Sequence, residues 1–295
     1  MRFGIVPLEF KPAAERIIVD GVPDFSRFNI IDAVRDAAKM QHIQVIEVTM
    51  DVEHVIPNAL TPEVISQLVD LKDELGISYT AHLPLWSLEL ASFNEFVRQA
   101  SVESIVSSIR LAEPLEPEAY VLHATGALAA EFSRLDMPVN MVMLICNLMS
   151  AIAARSLEDI ITRSEINPRL LAVENVEFPF SLTRELVDEY DTSICFDTGH
   201  LLTRYSGDES VVEFYRRHRD RIVELHLHDG SYAERDGAVI HRDHIALGEG
   251  EMPVREFLME LVRDSFNGPV VFELTATQAK QSLDLIETQV PEAIN

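Results

Sequence analysis

The chain has 295 residues, and 47% of them are hydrophobic, which is enough to bury a large core. It carries 49 Asp and Glu residues against 24 Lys and Arg residues, so its formal net charge is −25 at pH 7. Nucleic acids and anionic membranes bind basic surfaces, so this charge argues against either as a partner.

We expect the chain to act in the cytoplasm and not at a membrane. Its first ten residues do not resemble a secretion signal. The longest apolar segment, 139–154, is too short to span a membrane and contains two asparagines. The two cysteines, Cys146 and Cys195, lie far apart in apolar segments, which is typical of core residues in a reducing compartment.

Short apolar segments typical of buried strands alternate eight times with amphipathic segments typical of helices. The expected strands are 3–8, 44–50, 78–83, 119–124, 170–176, 192–197, 222–228 and 269–274. The expected helices are 29–40, 61–76, 93–112, 137–156, 181–190, 209–219, 253–265 and 277–289. This α/β pattern has no linker and predicts a single (β/α)8 barrel over residues 1–295. A doubly wound open sheet is disfavoured because no glycine-rich nucleotide loop follows the first strand.

Side chains that can bind metals lie at the ends of six consecutive expected strands. They are His82, His123, Glu174, Asp197, the pair His226 and His228, and Glu273. The carboxyl ends of the strands carry the active site in barrels of this kind. One buried His or Glu is explained by a hydrogen bond in the core, but six at equivalent positions favour a common site. Nitrogen and carboxylate ligands without thiolate suit Zn²⁺, Mn²⁺ or Fe²⁺.

The other histidines divide by position. His200 and His244 lie in expected loops after the sixth and seventh strands, where we expect a functional role. His228 follows His226 by two residues on the same expected strand, so both side chains point to the barrel axis. One of that pair would bind a metal while the other forms a hydrogen bond. His218 lies at a helix end and is expected to be solvated.

Seven motifs together resemble the endonuclease IV and xylose isomerase-like barrels, the AP endonuclease family 2 group. They are HLP at 82–84, VLHATG at 121–126, VEN at 173–175, CFDTGH at 195–200, HLHDG at 226–230, HIALGEG at 244–250 and FEL at 272–274. The resemblance implies two divalent metals per chain. It assigns one to His82, His123 and Glu174, and a second to Glu174, Asp197, His226 and Glu273.

The resemblance also implies a third metal held by His200 and His244. Arg242 stands where the family has the remaining ligand, an Asp, and a cation cannot bind a cation. A third site therefore requires Asp243 or His241 to substitute. We expect Arg242 to contact the substrate from this position, because a guanidinium can bind phosphate in a fixed geometry. The alternative is a surface ion pair of Arg242 with Asp243 or Glu249.

The resemblance does not fix the reaction, because hydrolases, isomerases and epimerases share this fold. The isomerases and epimerases resemble the second metal site alone, whereas His82 and His123 complete a two-metal centre suited to attack on phosphorus. We therefore predict hydrolysis of a small-molecule phosphodiester by a metal-bound hydroxide. The alternative is sugar isomerisation or epimerisation, in which Glu174 and Glu273 would move protons. An inactive barrel that serves as a binding protein is a third possibility.

The substrate is predicted from the segment that follows AHLPLW, which resembles cobamide-remodelling phosphodiesterases. This resemblance favours the nucleotide loop of a B12-type cofactor as the bond cleaved. Trp86 should overhang the barrel mouth, and four methionines in 137–149 would suit a bulky apolar ligand. The alternative for both features is packing in the core or between subunits. His228 is a further expected substrate contact. The sequence leaves the oligomeric state open.

Overall fold

The computed structural model describes residues 1–7, 17–56, 58–235 and 238–294. Its strands are β1 Arg2–Ile5, β2 Ile18–Val19, β3 Val22–Pro23, β4 Ile43–Thr49, β5 Ser78–His82, β6 Tyr120–Leu122, β7 Leu171–Glu174, β8 Ser193–Asp197, β9 Ile222–His226, β10 Asp229–Arg235, β11 Ala238–Ile245 and β12 Pro269–Phe272. Its helices are α1 Ile30–Ala37, α2 Val52–Val55, α3 Pro62–Leu75, α4 Glu95–Ala112, α5 Ala127–Ser133, α6 Val139–Ser164, α7 Phe180–Glu189, α8 Thr198–Leu202, α9 Val211–His218, α10 Val254–Arg263 and α11 Ala276–Gln289.

The predicted (β/α)8 barrel is confirmed. Eight strands close into one barrel in the order β1-β4-β5-β6-β7-β8-β9-β12, and every neighbouring pair is parallel. The register brings the strand ends level, since Thr49 pairs with His82 and Asp197 pairs with His226. Parallel strands that end together present their last side chains at one rim.

Helix starts and stops predicted from the sequence are present around α3. The Thr61 hydroxyl accepts a hydrogen bond from the Val64 N–H, and Pro62 occupies the first helical turn. Gly76 ends the helix with a φ of 65°, a left-handed conformation that favours glycine. Leu68 and Leu71 on the inner face are buried against the barrel. Both cysteines are buried and free, as expected.

Helix α6 is longer than the sequence indicated, because it continues from Val139 to Ser164 and ends where Glu165 adopts a left-handed conformation. By length and composition alone it is long and apolar enough to cross a membrane, and 28% of its most apolar window is buried inside the structure. One such helix is weak evidence for a membrane span. It packs on α4, where buried Arg98 donates to Ser156 and Asp159. Among its expected ligand-binding methionines, Met141 is exposed and Met149 is buried.

The antiparallel hairpin β10–β11 was missed, because we expected residues after 228 to be loop and strand to continue through His228. Strand β9 ends at His226, and the hairpin follows with Ser231 opposite Arg242. The hairpin sequence SYAERDGAVIHRDHI mixes charged and apolar residues without a clean alternation, so the pattern does not indicate strands. The last residue of the expected first strand, Leu8, lies outside the described residues.

The expectation that His218 is solvated was wrong. His218 is only 8% exposed and packs against the rings of both Phe180 and Phe214, with centroid distances of 4.9 and 4.7 Å. The Arg184 guanidinium donates a hydrogen bond to its Nδ1 at 3.1 Å, which requires a lone pair on that nitrogen. Burial, followed by the charge of Arg184, lowers the pKa of His218 to about 4.

The lowered pKa of His218 predicts a specific loss of stability in mild acid. Because the unfolded chain binds this proton near pH 6.5 and the folded chain only near 4, stability is lost as pH falls through that interval. We expect wild type to lose about 1 kcal/mol more than His218→Gln between pH 6.5 and 4.5, after allowance for solvent screening. Urea unfolding at both pH values measures the difference. A stability difference that is independent of pH would contradict the assignment.

Candidate functional site

The Glu174 carboxylate lies at the centre of the barrel rim and is 1% exposed. Its Oε2 atom is 2.9 Å from His123 Nε2 and 3.4 Å from His82 Nε2. Its Oε1 atom is 3.1 Å from His200 Nδ1 and 3.6 Å from His226 Nδ1. Each oxygen of this one carboxylate therefore faces two imidazoles, as a ligand that bridges two metals would.

A second group of ligand atoms shares Glu174. His226 Nδ1 is 3.3 Å from Glu273 Oε2 and 3.7 Å from Asp197 Oδ2. One ligand atom from each of Glu174, Asp197, His226 and Glu273 lies within 4.8 Å of the others, and the same holds for His82, His123 and Glu174. The structure thus brings together both sets that the family resemblance implied.

Local hydrogen bonds orient these ligands. His82 Nδ1 donates to the Leu83 carbonyl at 2.9 Å, which leaves Nε2 to face Glu174. Asp197 caps helix α8, with Oδ1 accepting from the His200 N–H at 2.7 Å. Asn175 bonds both the N–H and the carbonyl of Asp197. Asp197 Oδ2 therefore remains directed towards the imidazoles of β9 and the residues that follow it.

A third cluster lies beside the first two, towards the hairpin. His228 is fully buried, with Nε2 2.8 Å from Asp197 Oδ2 and Nδ1 3.4 Å from Asp243 Oδ1. Asp243 Oδ2 is 3.4 Å from His244 Nδ1 and 3.7 Å from His200 Nε2. Gly199 permits this packing, because a Cβ there would lie 2.2 Å from the His228 ring.

Arg242 does not lie where we expected, since the Asp243 carboxylate approaches His200 and His244 instead. The guanidinium of Arg242 is more than half exposed and forms a 3.6 Å ion pair with Glu249, the alternative considered above. Successive side chains of a strand point to opposite faces, so Asp243 turns inward on β11 while Arg242 turns outward. The role of Arg242 as a substrate contact stays a prediction.

Trp86 is 44% exposed on the loop that follows β5. Buried Asp51 holds this loop, since its carboxylate accepts hydrogen bonds from the N–H groups of Leu85 and Trp86 at 3.0 and 3.1 Å. The indole therefore sits on a fixed backbone next to the strand that carries His82. Its contact with a substrate remains a prediction.

Asp229 fixes the opposite side of the rim and was not singled out from the sequence. Its buried carboxylate accepts four backbone hydrogen bonds, from Gly230, Gly248, Gly250 and Met252, at 2.8 to 3.0 Å. A Cβ on Gly250 would lie 2.3 Å from the Gly230 carbonyl, so only glycine allows this approach. The HDG and LGEG motifs contain the signal, because an acid and glycines suit a carboxylate bound by backbone N–H groups.

The side chains of the rim are suited to divalent metal ions, because several of their buried polar atoms have no hydrogen-bond partner among the described residues. Glu174 Oε1, His200 Nδ1, His226 Nδ1 and His228 Nδ1 are buried without a hydrogen-bond partner in the described part of the chain. Buried polar atoms are normally hydrogen-bonded, and unpaired ones that converge call for an ion or water. The donor set of imidazole and carboxylate matches Zn²⁺, Mn²⁺ or Fe²⁺.

The imidazoles and carboxylates of the cluster shift one another's pKa values. Burial alone would lower the pKa of His82, but contact with the Glu174 carboxylate and the nearby charge of Glu47 raise it to about 9. Burial would likewise lower the pKa of His200, yet Asp197 and Glu174 raise it to about 10. The imidazolium groups in turn hold the pKa of Glu174 well below its usual range against burial. A metal that binds here must displace protons from imidazoles.

Comparison with known proteins gives the same architecture. The xylose isomerase-like TIM barrel family profile matches residues 34–289. An uncharacterized protein of Methanocaldococcus jannaschii, MJ1311, is 27% identical over 228 residues, or 72% of this chain and 70% of that protein. A second uncharacterized protein of that organism, MJ1614, is 22% identical over 199 residues, covering 65% of this chain and 69% of its own length.

Similar solved structures show the fold. A D-tagatose 3-epimerase-like protein has a TM-score of 0.69 at 21% identity and covers 99% of this chain and 98% of its own. The 3-keto-D-glucoside 4-epimerase YcjR from E. coli has a TM-score of 0.66 at 16% identity, with 98% and 99% covered. The TTHB071 protein of Thermus thermophilus, soaked with ZnCl2, has a TM-score of 0.58 at 18% identity, with 84% and 88% covered. Two of these proteins are named as an epimerase or as epimerase-like, and none of the three is named as a phosphodiesterase.

The shared carboxylate predicts how metal content responds to substitution. We expect about two metals per wild-type chain and fewer than about one in Glu174→Gln, because the change removes a charge from both ligand sets. Elemental analysis after gel filtration measures the ratio. Glu260→Gln is the control, since this buried acid pairs with Arg216 and Arg263 on another face and should keep two metals. One metal in the wild type would argue against a two-metal centre.

Proposed function

The chain belongs to the xylose isomerase-like TIM barrel family, and from this premise we propose that it is a divalent-metal-dependent enzyme acting on a small molecule. The converging imidazoles and carboxylates at the barrel rim support metal dependence. The net charge of −25 supports a small substrate over a nucleic acid. Zinc, manganese or iron suits the ligands, and we propose a cytoplasmic location from the two free cysteines.

We propose hydrolysis of a phosphodiester as the first candidate reaction, from the geometry around Glu174. The observation that carries it is the position of Glu174, whose two oxygens each face two imidazoles. Because this carboxylate is only 1% exposed, it is shielded from a substrate at the barrel mouth, whereas an epimerase that used Glu174 as its base would need it to reach a substrate proton. Glu174 is suited instead to hold two cations in one site.

In this proposal some residues bind the metals and others transfer protons. His82, His123 and Glu174 would hold one metal, and we call them the inner set of ligands. Asp197, His226 and Glu273 would hold the second metal together with Glu174, and we call these three the outer set. Divalent cations bound there supply Lewis acidity and offset the charge of a phosphate. Glu273 and His244 are partly exposed and lie 3.5 Å apart, so they can exchange a proton with a leaving group at the mouth. The buried side chains of both sets would keep water from reaching the metals through the barrel interior.

Sugar isomerisation or epimerisation is the second candidate, and the names of the similar structures favour it. The set Glu174, Asp197, His226 and Glu273 could serve such a reaction with a single metal. In that case Glu273, which is partly exposed, would move the substrate proton. His82 and His123 would then only line the pocket.

The variant His123→Ala separates the two candidates. In the hydrolase it removes an inner ligand, so we expect kcat/KM for phosphodiester cleavage to fall at least about 100-fold while one metal stays bound. His54→Ala is the matched control, because exposed His54 bonds Ser104 outside the clusters. Substrates are cobamides, small cyclic and linear phosphodiesters, abasic DNA and ketoses. Epimerisation of a ketose that survives in His123→Ala, with no phosphodiester cleaved, would establish the second candidate instead.

Arg242 provides a test of substrate binding. We propose a cobamide as the leading phosphodiester, with Trp86 as a contact at the mouth and with Arg242 as a second contact once its exposed side chain leaves the ion pair with Glu249. Arg242→Ala should then raise KM about tenfold, or about 1.4 kcal/mol, with kcat little changed. Arg235→Ala is the control, since it removes an exposed arginine at the far end of the same hairpin. An equal effect of both variants would indicate general electrostatic attraction and not a contact.

A further inference from the structure

Beneath the rim, the barrel interior holds polar side chains in a layer that such barrels normally fill with apolar residues. They are Glu47 on β4, Thr80 on β5 and Glu224 on β9, and all three are 0% exposed. Burial of a carboxyl group is unfavourable unless a partner compensates for the lost water. Both carboxylate oxygens of Glu224 are buried without a hydrogen-bond partner in the described residues, whereas Glu47 makes a specific contact.

The contact that Glu47 makes is with His226. Glu47 Oε2 is 3.4 Å from His226 Nε2, and the same oxygen accepts a hydrogen bond from the Thr80 hydroxyl at 3.3 Å. The other nitrogen of the ring, Nδ1, faces upward, 3.3 Å from Glu273 Oε2 and 3.7 Å from Asp197 Oδ2. The ring of His226 thus separates the Glu47 carboxylate below from the candidate metal ligands above.

The two nitrogens cannot exchange roles without cost. A neutral imidazole has one N–H and one lone pair. With the proton on Nε2, the ring donates to Glu47 and directs its lone pair from Nδ1 towards the candidate ligands. With the proton on Nδ1, the lone pair of Nε2 would meet the carboxylate oxygen of Glu47, which is repulsive.

We propose that Glu47 is a positioning residue that fixes the ring and the tautomer of His226, so that Nδ1 can bind the outer metal. The inference rests on the proposed metal-dependent function and adds to it a residue that acts through His226 from beneath the site. In metal sites generally, a carboxylate behind a histidine ligand raises metal affinity, and its loss lowers affinity about 10- to 100-fold.

The test measures zinc affinity by competition with a chromophoric chelator on metal-stripped, refilled full-length protein. We expect one site to bind zinc about tenfold more weakly in Glu47→Gln and about 100-fold more weakly in Glu47→Leu. The amide oxygen of Gln can still accept from Nε2–H, which explains the smaller loss. Glu224→Gln is the control, because it changes the other buried carboxyl group of this layer and leaves Glu47 against His226, so its loss should stay under about threefold.

A second readout separates positioning from general packing. In the cobalt-substituted wild type, the Nε2 proton of a metal-bound His226 should give a slowly exchanging, paramagnetically shifted NMR signal, which Glu47→Gln should make faster to exchange. Urea unfolding of the metal-stripped proteins reports structural damage. If Glu47→Leu does not fold, the zinc affinity of Glu47→Gln is compared with those of wild type and Glu224→Gln.

Three outcomes would overturn the inference. Unchanged zinc affinity in folded Glu47→Gln, with two sites filled in the wild type, would reject it and leave the proposed function intact. An equal loss in Glu47→Gln and Glu224→Gln would assign the effect to the polar layer as a whole and not to the contact with His226. Failure of the wild type to bind zinc, manganese or iron would reject the proposed function together with this inference.

Discussion

The upper half of the barrel depends on the burial of one negative charge. The carboxylate of Glu174 has almost no contact with water and would be unfavourable there without compensating partners. Four imidazoles supply that compensation, and they come from β5, the end of β6, α8 and β9. Because these elements meet only if the barrel is closed in the observed register, the chemistry of the rim and the topology of the sheet constrain each other.

Three histidines of the rim, His82, His200 and His228, are oriented by their surroundings and not by the Glu174 carboxylate alone. The Leu83 carbonyl fixes the ring of His82, and the cap formed by Asp197 places the backbone of His200. Asp197 and Asp243 lie on either side of the His228 ring. A site built from side chains that are already oriented loses little entropy when it binds an ion, since few rotamers remain to be restricted.

The barrel strands and the candidate ligands at their ends were predictable, because each strand is a short apolar run and six consecutive expected strands end in a His, Asp or Glu. The hairpin was not, since its sequence lacks periodicity and its strands pair only with each other. For that reason Asp243 was considered only as a substitute for the missing third-metal ligand. The direction of its side chain depends on strand β11, which was not predicted. Glu47 was missed because a single acid within QVIEVTM does not indicate which distant side chain it meets. His218 was misplaced because only tertiary packing supplies its two aromatic neighbours.

The four backbone bonds accepted by Asp229 make the base of the hairpin a rigid joint between the barrel and the segment that carries Asp243 and His244. The positions of these two side chains therefore depend on the base of the hairpin, which changes in sequence further along it would leave in place. Such a hairpin could diverge between descendants of one ancestral protein while the candidate ligands stay in place. In this barrel, selection for a new substrate could act beyond the base of the hairpin without first rebuilding the candidate metal site.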